Sequence, residues 1–185
     1  GDIGASAGGP DGIFFNDTRY ISHLEMLING KQPLLLGSNV RDDNSILTVD
    51  LTNPDIYVNQ KLIQLKDMLY VVRTLFFLRC AAYQRLRLQN HGGQPFELRL
   101  SLAFGSDFAD LFEVRGMRRE RRGTMASEVI GRTDVALNYH GLDGKRRQTK
   151  ILFEPAPERL VKNAASYAFE LQPNEARSIC VTVQC

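Results

Sequence analysis

Asp107, Asp110 and Glu113 lie close together in a segment of helical character. Paired carboxylates about 5 to 10 Å apart are what hydrolysis of a glycosidic bond ordinarily requires, one as acid and the other as base or nucleophile. The same segment runs on into Arg115, Arg118, Arg119, Arg121 and Arg122. Guanidinium groups beside carboxylates favour the ionised form and lower its pKa, whereas a general acid needs a raised one. The spacing therefore favours a structural cap and ion-pair network over a catalytic pair. A helix is expected over 107–114, with Phe108, Leu111 and Phe112 on one face and Asp107 with Asp110 as an imperfect capping box.

The other reactive residue types form no stronger constellation. Gly116 and Gly123 bracket the arginine run, Glu120 interrupts it, and no aromatic is interleaved with it. It reads as a solvated loop or an interdomain contact rather than a nucleic-acid site, since the rigid guanidinium fork suits carboxylates and carbonyls of a neighbouring domain. Asp42, Asp43 and Asn44, then Asp50, Asn53 and Asp55, supply many oxygens but no EF-hand spacing, so turn and cap roles are expected. His23, His91 and His140 are isolated and belong to surface or turn positions. Cys80, Cys180 and Cys185 show no metal-ligand spacing, and no metal or other cofactor is expected. Cys180 and Cys185 would stand about 16 Å apart on one strand, so free thiols and a reducing, cytoplasmic setting are expected. There is no Trp; of the rings that could stack on a sugar, Phe14, Phe15, Tyr20 and Tyr57, most are assigned to the core.

These residues must be positioned by strands. In 97–104, Leu98, Leu100, Leu102 and Phe104 alternate with other residues and define a half-buried strand. The strand-like 84–88 precedes it across Asn90-His91-Gly92-Gly93-Gln94-Pro95, which predicts a hairpin between the two. Further strands are expected at 20–28, 46–51, 69–77, 135–139, 149–153, 167–171 and 177–185. Turn chemistry divides them at Asn29-Gly30, Asn53-Pro54-Asp55, 141–144 and 172–175. The opening Gly-rich stretch reads as a loop entering the domain. The 185 residues suit one domain, and with 43% apolar and 24% charged residues the chain should fold. A net charge of +2 argues for no nucleic-acid or anionic-lipid partner, and no apolar run approaches a membrane helix or a signal peptide. The fold class is all-β: an antiparallel β-sandwich of supersandwich type, residues 1–185, with at most one or two short helices.

Three ordered motifs carry a family resemblance. They are Pro10-Asp11-Gly12-Ile13-Phe14-Phe15-Asn16-Asp17-Thr18-Arg19-Tyr20, then Leu47-Thr48-Val49-Asp50-Leu51-Thr52-Asn53-Pro54-Asp55, and the most specific, 106–116 followed by Arg119-Glu120-Arg121-Arg122-Gly123. The chain resembles the N-terminal domain family of bacterial and archaeal glycogen debranching enzymes (amylo-alpha-1,6-glucosidases). The resemblance departs at Arg79-Cys80-Ala81, where similar sequences tend to carry an acidic or glycine-containing turn.

That resemblance implies a β-sandwich that precedes an α/α toroid in the same polypeptide, the toroid supplying the catalytic carboxylates of a glycoside hydrolase. No catalytic residue carries over to this chain. Asp17, Thr18 and Arg19, together with Asp107, Asp110, Glu113, Arg115, Arg119, Arg121 and Arg122, map onto family segments expected to contact the toroid or its cleft. The expected role is a noncatalytic module that reaches α-glucan only through the parent enzyme; the alternative is an autonomous α-glucan-binding module. The first predicts an apolar or arginine-lined patch, the second a groove of aromatics with Asp and Asn.

Overall fold

The computed structural model describes residues 2, 3 and 9–185. Most of the opening glycine-rich stretch, Gly1 and residues 4–8, lies outside the described residues. Along the chain come β1 (Ile13–Phe15), β2 (Thr18–Ile21), β3 (His23–Ile28), β4 (Leu34–Val40), β5 (Ile46–Thr52), β6 (Ile56–Val58), β7 (Lys61–Gln64), β8 (Leu69–Leu78), β9 (Ala81–Asn90) and β10 (Phe96–Gly105). A short helix, α1 (Leu111–Val114), precedes β11 (Thr124–Ile130), β12 (Asp134–His140), β13 (Arg146–Glu154), β14 (Arg159–Val161), β15 (Ala164–Leu171) and β16 (Ala176–Gln184).

Two antiparallel sheets face one another. The larger has eight strands in the order β11-β12-β13-β16-β9-β8-β5-β4, and the smaller has four, β14-β15-β10-β3. The period-two pattern of the sequence supplies the two inner faces. Leu86 and Leu88 of β9 with Ile179, Val181 and Val183 of β16 meet Leu98, Leu100 and Leu102 of β10 with Tyr167 of β15 in one buried cluster. Each leucine taken fully out of water contributes about 1.5 to 3 kcal/mol, so this shared face is what holds the layers together. The expected all-β sandwich with at most one or two short helices is the fold observed.

The expected hairpin between 84–88 and 97–104 does not form. β9 pairs with β8 and β16, whereas β10 pairs with β3 and β15, so the two strands lie in opposite layers. The connecting loop crosses between layers because Asn90, fully buried, pins it: its Nδ2 donates to the carbonyls of Gln94 (2.8 Å) and Leu171 (2.9 Å), and its Oδ1 accepts from Gly92 N (2.8 Å). Similarly, the strand expected over 20–28 is broken at Ser22, whose N–H bonds to Gly105 O at 3.0 Å, giving β2 and β3 separate partners.

The eight-stranded sheet is wider than the layer that covers it. At one margin, Met125 and Val129 of β11 pair directly with Tyr139 and Val135, and so share the inner face, yet both are exposed. At the other margin, Leu34, Leu35, Leu36 and Val40 of β4 are exposed too.

Candidate functional site

The uncovered margin beside β11 and β12 is where two of the sequence motifs meet. Asn16 and Asp17 adopt positive φ (44° and 60°), a two-residue hairpin turn that Asx residues tolerate, and this sets Thr18 and Arg19 at the start of β2. Segment 107–111 then runs alongside. Arg19 N donates to Ala109 O (2.8 Å), Leu111 N donates to Asp17 O (3.1 Å), and Thr18 forms a β-bridge with Asp110.

Arg19 is buried, and its guanidinium is satisfied from several sides. Nε and Nη2 grip Asp107 as a fork, at 3.1 Å to Oδ1 and 2.5 Å to Oδ2, while Nη1 donates to the carbonyls of Gly9 (2.8 Å) and Asp11 (3.1 Å). Gly12 makes room for it: a Cβ there would come within 2.5 Å of the Arg19 Cδ and 2.7 Å of the Ile21 carbonyl oxygen. Burial pushes the Asp107 carboxyl up, but the Arg19 hydrogen bond, the Ala109 N–H and the charges of Arg19 and Arg122 outweigh it, holding the pKa below the ordinary aspartate value.

The helix is shorter than the expected 107–114, and its cap is different. Asp107 lies outside it, turned to Arg19; Asp110 is the N-cap, accepting from Phe112 N and Glu113 N (both 2.9 Å), and Asp110 N in turn donates to Glu113 Oε2 at 3.2 Å. The capping box is thus Asp110 with Glu113, which satisfies helix-end donors from both directions. Arg119 folds back onto Asp110 and onto Glu113 (3.5 Å), and Arg122 reaches Glu113 (3.1 Å) and the carbonyl of Asp107 (2.5 Å). Burial raises the Asp110 carboxyl, while the Glu113 amide and Arg119 lower it further, so the net shift is downward.

Phe108 anchors the assembly, buried in a left-handed backbone conformation (φ 49°) that a bulky residue rarely adopts. Its ring stacks on Tyr139 at 5.5 Å and meets Tyr20 edge-on at 5.6 Å, and the Arg122 guanidinium lies 5.9 Å from the Tyr139 ring centre. Gly123 closes the arm against β12: its N–H bonds to the Tyr139 hydroxyl (3.0 Å), and a Cβ would lie 1.9 Å from the His140 carbonyl oxygen. Beside these residues is an open cleft of about 170 Å³, lined among others by Thr18, Asp110, Arg121, Tyr139, Leu142 and Asp143. Asp143, bonded to Arg147 (2.9 Å) and to Lys145 N, is held at a pKa of about 2.

Of the residues singled out in the sequence, Asp17, Thr18, Arg19, Asp107, Asp110, Glu113, Arg119 and Arg122 therefore form one continuous network. Arg121 lines the cleft but, like the exposed Arg115 and Arg118, makes no side-chain hydrogen bond or ion pair among the described residues. Phe108, expected on one helical face with Leu111 and Phe112, instead lies before the helix and is buried while Phe112 is exposed; Tyr139, Asp143 and Arg147 were missed. The 141–144 turn was legible in the sequence, but not that its neighbour in space is the arginine run. The ring assignment also needs correction: Phe14, Phe15 and Tyr57 are exposed and only Tyr20 is packed, because β1 and β6 belong to two-stranded ribbons with one side in water. The Asx clusters serve turns and strand ends, with Asp43 accepting from Ser45, Asp55 from Lys66 N, and buried Asn53 from Met68 N and Leu69 N. Among the described residues no group of three or more His, Cys, Asp or Glu is placed to hold a metal ion, and no helix is long and apolar enough to cross a membrane.

The fold and site together define an antiparallel β-sandwich that carries, at one margin, an arginine arm tied down at its base. The family model described as the N-terminal domain of (some) glycogen debranching enzymes matches residues 1–182, and the chain belongs to that family. Among solved structures, a putative kojibiose phosphorylase from the human microbiome is similar over 90% of this chain, with a TM-score of 0.60 and 11% identity, which is a likeness of fold. The chain spans 22% of that neighbour's length. A putative aldose 1-epimerase from Escherichia coli K12 aligns over 83% of this chain and 68% of its own, with 7% identity and a TM-score of 0.39. No curated protein matches the sequence.

Proposed function

We propose that this chain is a noncatalytic module of a glycoside hydrolase of the amylo-alpha-1,6-glucosidase type, docking through its arginine arm on a catalytic α/α toroid of the same polypeptide and forming part of the wall of its α-glucan cleft. The observation that carries the reading is the contrast within the arm. Arg19, Arg119 and Arg122 are used internally to fix its base, while Arg115, Arg118 and Arg121 stand exposed without side-chain partners among the described residues, beside exposed Phe112, Met117 and Met125. Arginine forks next to uncovered apolar side chains are the composition of a contact surface. Arg19 and Asp107 act from beneath the surface by holding it in place.

The noncatalytic part of the reading rests on the carboxylates. Asp107, Asp110 and Asp143 are each bonded to an arginine and shifted towards lower pKa, so they stay ionised where a general acid must hold a proton. The autonomous glucan-binding alternative would use the cleft beside Tyr139. Its ring is already stacked on Phe108 and close to the Arg122 guanidinium, which leaves less of it for a sugar.

The test is glucose or oligosaccharide release from glycogen and a branched dextrin, comparing this chain with one extended to the native stop codon. Release by the extended chain alone is expected. Release by the 185-residue chain would overturn the reading and make Asp107, Asp110 and Glu113 the first residues to replace. Saturable glycogen binding by the 185-residue chain, without release, would favour the glucan-binding alternative.

A further inference from the structure

The three cysteines are free thiols, but they are not equivalent. β16 runs antiparallel to β9 with Gln184 opposite Ala81, and the next backbone bond, from Cys185 N to Cys80 O, is 2.9 Å. Cys185 therefore faces Cys80 one step beyond the end of the ladder. Residues facing each other across antiparallel strands have Cα atoms about 4.5 to 5.5 Å apart, inside the range a disulfide spans. Parity places both on one face: Cys185 continues the buried Val181 and Val183 series, and Cys80 the Ala82 and Gln84 series. Cys180 belongs to the opposite, exposed series and pairs with Arg85 and Glu154, about 16 Å along the strand from either thiol.

We infer that Cys80 and Cys185 form a dithiol site that small-molecule disulfides oxidise to an intramolecular cross-strand disulfide. Cys80 sits exposed in the β8–β9 turn, after Arg79 at a φ of 56°, and is the thiol a reagent reaches. Its thiolate attacks one sulfur of the reagent, forming a mixed disulfide and expelling one thiolate. Cys185 then loses its proton and attacks the Cys80 sulfur, expelling the second thiolate. Two protein thiols are oxidised and one reagent disulfide is reduced to two thiols. Burial, followed by the nearby Cys80 charge, pushes the Cys185 thiol up to about 11, so the second step quickens as pH rises.

The test uses the Cys180→Ser chain, in which only Cys80 and Cys185 carry thiols. It is incubated with oxidised glutathione at pH 8 and alkylated, and the intact mass is recorded. The expected product is a monomer with two hydrogens fewer, no alkyl label and no retained glutathione. The Cys180→Ser, Cys185→Ser chain should instead retain one glutathione on Cys80. Two alkyl labels, glutathione retained on Cys80 when Cys185 is present, a covalent dimer, or no adduct on the double variant would each overturn the inference.

Discussion

Arg19 and Arg121 are near neighbours in the fold and opposite in use. Arg19 is buried with donors matched to the Asp107 carboxylate and the carbonyls of Gly9 and Asp11, whereas Arg121 projects into an open cleft with no partner among the described residues. A buried charge is tolerated only when paired and hydrogen-bonded, so the first arrangement belongs to folding. An exposed, unmatched guanidinium gains little from the isolated domain. Its value lies in what it can meet. The comparison separates residues that build the surface from residues that present it, although both sets come from the same motifs.

Substitutions should split along that line. The largest effect is expected for Arg19→Ala, which strands the part-buried Asp107 carboxylate and two carbonyls; a loss of about 3 to 5 kcal/mol is predicted from chemical denaturation of the isolated chain. Acid should weaken the same region. The Asp107 and Asp110 pKa values are lowered by folding, so their contribution is present above the unfolded aspartate value of about 3.9 and is lost as pH falls through their folded values. A denaturation midpoint followed from pH 6 to pH 2 should fall below about pH 4, less steeply in Asp107→Asn. Next comes Asp110→Ala, which removes the helix cap for about 0.5 to 2 kcal/mol. Smallest is the combined replacement of Arg115, Arg118 and Arg121 by Ser. It should leave the unfolding free energy of the isolated chain within about 0.5 kcal/mol of wild type per site, while lowering glycogen turnover by the extended chain.

The sandwich was legible because the strands lining its core alternate cleanly, as in Leu98-Arg99-Leu100-Ser101-Leu102. The two edge strands of the eight-stranded sheet were not. β4 opens on three consecutive leucines, and β11 (Thr124–Ile130) has no buried residue, so neither shows a period-two signal. The false hairpin came from assuming that neighbours in sequence pair, when Asn90 instead turns the chain into the other layer. The acidic and arginine motifs were legible as an ion-pair network, but their assignments were not, because Arg19 reaches Asp107 only through the packing of β2 against segment 107–111. The Cys80 and Cys185 pairing was hidden for the same reason: it depends on β16 lying beside β9, and spacing along the chain compares only Cys180 with Cys185.

Amide hydrogen exchange of residues 115–125, measured in the isolated chain and in the chain extended to the native stop codon, bears most directly on docking through the arginine arm. Slower exchange of this segment in the extended chain, with the amides of Arg19 and Ala109 protected in both, is the predicted result. Equal, rapid exchange of 115–125 in both chains would contradict the account.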